Sequence, residues 1–333
     1  MSEMGRYPFR EGVNEFLKYE EGHISESTFK TTRRRLLQIS RIFVELKANG
    51  EIASTNPRNI QSSDVDRFVA YRKKNGMKNT TILKDLGLLE KLLTFFDNDS
   101  VRRFKAKYPA HVPRKFKKRG PSMDEDIVQM IIDRAKRIDV NDWTRMEAYG
   151  VVVTTICTGL RPLEIQKLSI QNVNDDGEWI EIYAEHVKGE GTYGSERYIT
   201  VHPDGAPVVR KYVQARRLKL EKVGKYEDAF VPPLKHIGGY VCYNKLQKLK
   251  NLVERELEIR FDYRKCRRTY GQRAINEGQS MHDVSLVMGH CSMATTQKDY
   301  CDKEEHVACR DMKNFWDGAA RNHSEGIRNQ EAL

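Results

Sequence analysis

Apolar residues recur every three or four positions through the first hundred residues, the spacing of a helix with one buried face. The pattern predicts four helices, one around Val13–Leu17, then Ser27–Leu46, one that begins at Ser62, and Thr80–Phe96. Ser27 or Thr28 is the expected N-cap of the second helix, and Asn49-Gly50 and Asn75-Gly76 are expected to end the second and third. Four short helices of this kind predict a small independent bundle.

The pattern stops between Pro109 and Pro121. Three prolines lie in this charged stretch, and no apolar period crosses it, which predicts a domain boundary. The helical period then restarts. Ser122 to Glu125 is a capping-box-like start for a helix that runs to about Lys136, and a second helix is expected from about Asn141 to Cys157. Pro162 suits the first turn of a third helix, Leu163–Leu168.

Two segments alternate apolar and polar residues instead. Trp179–Tyr183 and Arg197–Val201 are predicted to pair as antiparallel strands, and the glycine-rich segment from Lys188 to Glu196 is the expected hairpin tip. After Asp204 the helical period returns, and the predicted helices are Ala206–Lys222, Tyr243–Leu257, Lys265–Glu277, Met281–Met288, Ala294–Tyr300 and Glu304–Trp316.

The fold class predicted from these elements is mainly helical, with one small antiparallel β-sheet. The expected organisation is a helical domain over residues 1–110, a linker over 111–121, a second domain over 122–317 and a polar, disordered tail over 318–333.

The charge of the chain is unevenly distributed. Residues 1–122 hold 26 Lys and Arg against 14 Asp and Glu, whereas residues 123–333 hold 32 against 33. Nine basic residues and no acidic one lie between Arg102 and Arg119. Such a run is either a solvated linker or a segment that follows a phosphate backbone. Taken alone, the run is better interpreted as a solvated linker, but a basic N-terminal half joined to a nearly neutral C-terminal half favours DNA phosphates as its partner. The candidate contacts are Arg114, Lys115, Lys117, Lys118 and Arg119.

No apolar run is long enough for a membrane span or a signal peptide, so we expect a soluble cytoplasmic protein associated with nucleoid DNA. The six cysteines have no CxxC spacing and are expected to be reduced thiols. A zinc site can be drawn from His290, Cys291, Cys301, His306 and Cys309, but its spacing is irregular, and we predict no metal and no cofactor.

The candidate chemistry lies on separate elements of the second domain. Cleavage of a phosphodiester requires charge neutralisation at phosphorus and a proton for the leaving oxygen, and carboxylates clustered for Mg²⁺ are not evident here. Arginines instead supply planar, permanently charged forks. The candidates are Arg161, Lys188, Arg267, His290 and Tyr300.

Each candidate also has a structural interpretation. Arg161 can simply pair with Glu164, Arg267 can belong to a solvated helix face, and Lys188 can be a solvated lysine of the hairpin tip. His290 follows a glycine and can cap a helix, and Tyr300 is one of fifteen tyrosines. It is the ordered combination that favours a site.

Taken together, these residues closely resemble the tyrosine recombinase/integrase family, which includes phage integrases and Cre-like and Xer-like recombinases. Thr158–Glu164 resembles the first family box, Arg264–Gly271 the His-x-x-Arg box, Met288–His290 the Leu-Gly-His box, and Thr295–Tyr300 the nucleophile segment. The resemblance covers nearly the whole chain. It implies a C-shaped DNA clamp in which a helical, SAM-like core-binding domain precedes the catalytic domain.

The resemblance also implies roles. Tyr300 is the nucleophile, Arg161 and Arg267 hold the phosphorane, and Lys188 is the general acid. His290 and Arg264 assist, and Glu164 is a supporting residue. Arg264 stands where the family has a histidine, so a permanent cation replaces a proton-exchanging group. The interval from His290 to Tyr300 is one residue longer than in the commonest family pattern.

The function implied is site-specific recombination through a 3′-phosphotyrosyl intermediate, for integration or excision of a mobile or viral element. Duplex DNA and a homotetramer on paired sites are the expected partners, and Glu304–Trp316 is a candidate to dock on a neighbouring protomer or in cis. Two alternatives remain open: a type IB topoisomerase-like enzyme, and a DNA-binding module that has lost catalysis.

Overall fold

The structure is a computed structural model that describes residues 8–114, 120–187, 194–235 and 239–290, with residues 309, 312 and 313. The chain divides into two compact units, Met1–Lys117 and Lys118–Leu333. The division falls inside the stretch 111–121 that the sequence predicts to be a linker, and the domain limits themselves stay a prediction. Within the described residues, no helix is long and apolar enough to cross a membrane.

The first unit is a bundle of helices. Its described helices are α1 (Pro8–Glu20), α2 (Glu26–Ala48), α3 (Ser62–Lys74), α4 (Asn79–Phe95) and α5 (Ser100–Lys107). Their apolar faces meet in one core, where the rings of Phe9, Phe43 and Phe68 stack in succession. The predicted helical bundle is therefore confirmed.

Two details of this unit were predicted wrongly. The bundle has a fifth helix, α5, because Val101 and Phe104 insert into the core from a segment whose basic residues hide the apolar spacing. The N-cap of α2 is Ser25, whose hydroxyl accepts the Thr28 amide, and not Ser27 or Thr28.

The second unit surrounds one buried helix. Its described helices are α6 (Glu125–Arg137), α7 (Trp143–Thr158), α8 (Pro162–Lys167), α9 (Ala206–Val223), α10 (Tyr243–Leu257), α11 (Tyr263–Asn276) and α12 (Met281–Val287). Helix α7 is buried from Met146 to Thr158 and packs against α6, α9, α10 and α11. Gly150 makes this packing possible, because a Cβ there would lie 2.5 Å from the ring of Tyr212.

A three-stranded antiparallel sheet joins α8 to α9. It contains β1 (Val173–Asp175), β2 (Ile180–Ala184) and β3 (Arg197–Thr200), in the order β1-β2-β3. The predicted β2–β3 pair is confirmed, with Ile182 opposite Ile199 and Ala184 opposite Arg197. Strand β1 was not predicted, because three residues with little apolar character cannot show alternation.

One other local prediction is wrong. Helix α6 begins at Glu125 after Asp124, so the capping box predicted at Ser122 is not formed. The predicted helices Ala294–Tyr300 and Glu304–Trp316 lie outside the described residues, apart from Cys309, Met312 and Lys313, which are helical. The polar tail 318–333 also lies outside them. The described cysteines, Cys157, Cys242, Cys266 and Cys309, are free thiols.

Candidate active site

Arg161 lies at the junction between α7 and α8. Helix α7 ends at Gly159, whose φ of +65° is the left-handed conformation that favours glycine, and Pro162 then starts α8. Arg161 is extended between them, as expected for a residue before proline. Its Nη2 group donates to the Gly289 carbonyl at 2.9 Å. The side chain is 23% exposed, and the remaining guanidinium N–H groups have no hydrogen-bond partner among the described residues.

Glu164 is the buried acid that orients Arg161. Its carboxylate accepts the Arg161 backbone N–H at 2.8 Å and the Arg161 Nη1 group at 2.7 Å. Arg197, on β3, donates to the same carboxylate through both Nη atoms, at 3.2 and 2.8 Å. Burial raises the pKa of Glu164, but the Arg197 hydrogen bonds and charge, with Arg161, outweigh it and lower the pKa to about 2. The carboxylate is therefore ionised at neutral pH.

Arg267 lies one turn into α11, which begins after Asp262 caps the Lys265 amide. Only 3% of Arg267 is exposed. Its Nη1 group donates to the Gly159 carbonyl at 2.6 Å, and its Nη2 group donates to the Met288 carbonyl. Gly159 is required here for a second reason, because a Cβ would lie 2.8 Å from the Tyr270 ring on the next turn of α11. Arg267 thus connects the end of α7 to the end of α12.

His290 follows α12 and lies against Arg267. Its Nε2 atom is 3.0 Å from Arg267 Nη2, so the imidazole accepts this hydrogen bond and carries its proton on Nδ1. Burial lowers the pKa of His290, and the charge of Arg267 and of two further arginines brings it to about 3. A neutral imidazole therefore lies beside a permanent cation.

Three arginines hold three consecutive carbonyl groups at the end of α12. Arg197 Nε donates to Val287 at 2.6 Å, Arg267 donates to Met288, and Arg161 donates to Gly289. The last carbonyls of a helix have no partner within it, so guanidinium groups satisfy them here. We call this arrangement the carbonyl clamp. It fixes the backbone immediately before His290. The three arginines carry an excess of positive charge, because Glu164 pairs with only Arg161 and Arg197.

The structure brings together four of the predicted site residues, Arg161, Glu164, Arg267 and His290. Glu164 does pair with Arg161, as the structural interpretation held, and Arg161 also reaches Gly289. The interpretation of Arg267 as a solvated residue is wrong, because its side chain is buried.

Arg264 is not part of this cluster. It lies exposed on the first turn of α11, and its side chain makes no hydrogen bond or ion pair with any residue that the structure describes. The carbonyl of Arg114 accepts a hydrogen bond from Asn79 at 3.0 Å. The other predicted residues, Lys115, Lys117, Lys118, Arg119, Lys188 and Tyr300, lie outside the described residues.

Metal ligands do not gather in the described part of the chain, where no group of three His, Cys, Asp or Glu side chains has suitable geometry. Of the irregular zinc set, only His290 and Cys309 are described.

The sequence did not predict the role of Arg197. Its signal was present, however, because the alternation of β3 puts position 197 on the same face as the buried Ile199. A charged residue on the apolar face of a strand requires a buried partner, and Glu164 is that partner.

The family of the chain follows from comparison with known proteins. Residues 121–306, which include every described member of the carbonyl clamp, match the model of the phage integrase family. The tyrosine recombinase XerD of Listeria monocytogenes serotype 4b (strain F2365) is 22% identical over 288 residues, which cover 85% of this chain and 90% of XerD. The tyrosine recombinase XerC of Oceanobacillus iheyensis is 24% identical, with coverage of 72% and 75%.

Solved structures show the same fold at low identity. The site-specific recombinase XerH bound to its palindromic difH substrate aligns with a TM-score of 0.67 and 14% identity, covering 92% of this chain and 84% of XerH. A lambda integrase dimer bound to a COC' core site aligns with a TM-score of 0.61 and 13% identity, covering 89% and 79%. The chain belongs to the phage integrase family and is a tyrosine site-specific recombinase.

Proposed function

We propose that this recombinase cuts and rejoins duplex DNA through a 3′-phosphotyrosyl intermediate, with Tyr300 as the nucleophile. The observation that carries the proposal is the convergence of Arg161 and Arg267 on a neutral His290. A phosphodiester at this point meets two guanidinium groups, which bind phosphate in a planar, two-pronged manner. The N–H groups of Arg161 that have no described partner are the first available contacts.

In the proposed reaction the Tyr300 phenol oxygen attacks phosphorus, and the bond from phosphorus to the 5′-oxygen breaks. Lys188 gives the leaving oxygen a proton, and the phenol proton is released to solvent as the bond to phosphorus forms. The neutral His290 assists, because its Nδ1–H group can donate to a phosphate oxygen. Arg161 and Arg267 neutralise the charge that grows on the phosphorane, which is where fixed donors lower a barrier most. Arg264 assists from the start of α11 by contact with a neighbouring phosphate. Since the arginines supply the positive charge, cleavage should need no divalent metal.

The partners belong to the same proposal. We assign residues 1–110 to core binding, 111–121 to a linker along the phosphates and 122–317 to catalysis, with a homotetramer acting on two paired DNA sites. The DNA complexes among the similar structures support duplex DNA as the ligand. The proposed biological role is integration or excision of a mobile or viral element. A topoisomerase would relax supercoils without exchanging partners, so recombination between two marked sites separates the two activities.

The test is trapping of the covalent adduct. A nicked substrate that loses the nucleophilic 5′ end should accumulate a protein–DNA adduct with the wild-type protein, in EDTA as well as in Mg²⁺. Tyr300→Phe should form no adduct while its Kd for DNA changes less than about threefold, because one hydroxyl adds little to phosphate binding. Tyr226→Phe is the matched control, since Tyr226 is 83% exposed and outside the site. Adduct formation by the Tyr300 variant would refute the assignment.

A further inference from the structure

We propose that Arg197 is the positioning residue of this active site: it links β3, Glu164 and the end of α12, and thereby sets the geometry of Arg161 and His290. The inference rests on the proposed function, because it concerns the same phosphate site. Arg197 itself is not expected to touch the phosphate, since each of its three nitrogen atoms, Nε included, already donates to a protein acceptor.

The fold leaves Arg197 little freedom. It stands opposite Ala184 in the sheet and faces the core with Ile199. A buried guanidinium is stable only when its hydrogen-bonding groups are satisfied, and here each of its three nitrogen atoms donates to a described acceptor. These acceptors lie 33 and 90 residues away in the sequence.

The contact between Arg197 and Glu164 controls the orientation of the Arg161 guanidinium. Glu164 receives four hydrogen bonds, two from Arg161 and two from Arg197, so both of its oxygens are fully used. Loss of Arg197 would free the carboxylate to rotate towards Arg161 and engage more of that guanidinium. The groups of Arg161 that are available to a phosphate would then be reduced in number and misplaced.

The contact between Arg197 and the end of α12 controls the position of His290. Arg197 Nε holds the Val287 carbonyl three residues before the imidazole. The guanidinium also lies directly under Gly289, where a Cβ would meet its Nη1 atom at 2.9 Å and its Cζ atom at 3.0 Å. Gly289 has a φ of +61°, so glycine serves both the helix end and the close approach of Arg197. Lys188, the proposed general acid, belongs to the segment that β3 follows.

The first experiment measures single-turnover cleavage of the nicked substrate at saturating DNA. Arg197→Met should slow cleavage about 10- to 100-fold, because small displacements of catalytic groups have effects of this size, with a Kd for DNA within about threefold of wild type. Arg197→Lys keeps the charge and should fold, but a lysine cannot form the two-pronged contact, so a loss of about tenfold is expected.

Arg210→Met is the matched control. Arg210 makes a comparable two-pronged contact with Asp175 on β1 but does not reach Glu164 or α12. Its variant should cleave within about twofold of wild type. Equal cleavage rates for Arg197→Lys, Arg197→Met and wild type would overturn the inference, whereas absence of any adduct with wild-type protein would refute the proposed function itself.

Two further readouts separate positioning from simple support of the fold. Arg197 is the main group that lowers the pKa of Glu164, so this pKa should rise in Arg197→Met. The acidic limb of the pH profile of the cleavage rate should then move to higher pH. In addition, Glu164→Gln combined with Arg197→Met should be no more than about threefold slower than the slower single variant, because the two residues act as a unit. An unmoved acidic limb or a multiplicative double loss would count against the proposal.

Discussion

Both units contain a carboxylate that is buried between two arginines, and the two clusters differ in what else the arginines contact. In the first unit, Asp85 on α4 is 2% exposed and pairs with Arg72 on α3 and, at 3.3 Å, with Arg35 on α2. In the second unit, Glu164 pairs with Arg161 and Arg197. The chemistry of the two clusters is nearly the same.

The difference lies in which groups the arginine side chains contact besides the carboxylate. Among the described residues, the side chains of Arg72 and Arg35 bond only to Asp85, so the cluster joins three helices and goes no further. Arg161 and Arg197 continue to the carbonyls of Gly289 and Val287 and so fix the backbone beside His290. In the first unit the buried ion pairs therefore join helices, whereas in the second they also reach the backbone beside His290, where we propose the active site.

The largest predicted effect is on the cleavage rate, when one arginine of each cluster is changed to lysine. In Arg161→Lys, one ammonium group cannot hydrogen-bond Glu164 and Gly289 at the same time, and the planar, two-pronged contact with phosphate is lost. The rate of single-turnover cleavage should therefore fall about 10²- to 10³-fold. The matched variant, Arg35→Lys, should cleave within about twofold of wild type. Similar losses in both variants would show that the two clusters do not differ as described.

A second prediction concerns stability. Asp85→Ala leaves two arginines facing each other without their carboxylate and should destabilise the first unit by about 3 kcal/mol. All three tryptophans, Trp143, Trp179 and Trp316, lie after residue 118. Urea unfolding followed by circular dichroism should therefore show an earlier transition, while the tryptophan fluorescence transition stays in place. A shift of both signals together would indicate that the units unfold as one.

A third prediction uses pH. The folded pKa of Glu164, about 2, lies below its ordinary value of 4.5, so its ionisation stabilises the fold above pH 4.5, and this contribution is lost as the pH falls towards 2. The difference in unfolding free energy between wild type and Glu164→Gln should shrink by about 2 kcal/mol from pH 5 to pH 3. Tryptophan fluorescence in urea measures it. A constant difference across this range would mean that the carboxylate is not held as an anion.

The linker cations should have the smallest effect on the cleavage rate, because we propose that they contribute to the affinity for DNA. Changing Arg114, Lys115, Lys117 and Lys118 to Ser should flatten the slope of log K against log salt by about 2–4 units, at about 0.9 per lost phosphate contact. Cleavage at saturating DNA and the sequence preference should stay nearly unchanged. An unaltered salt slope would show that this segment is only solvated.

Several features of the protein were predictable from local sequence. The helix and strand periods located most elements, and the order of Arg161, Arg267 and His290 indicated one anionic site. Helix α5 and strand β1 were missed because each is too short to show a period within polar sequence. The placements of Lys188 and Tyr300 stay predictions.

The sequence by itself determined the types and the order of the charged groups, because these are properties of the chain. The alternation of a strand can indicate that a charged residue faces the core, but only the tertiary structure decided which groups these residues bond to. Arg197 and Arg210 are the same residue type, yet Arg197 lies under Gly289 and Arg210 lies at the surface beside Asp175. The reason is physical: burial of a charge depends on partners that lie tens of residues away, and no local pattern records those contacts.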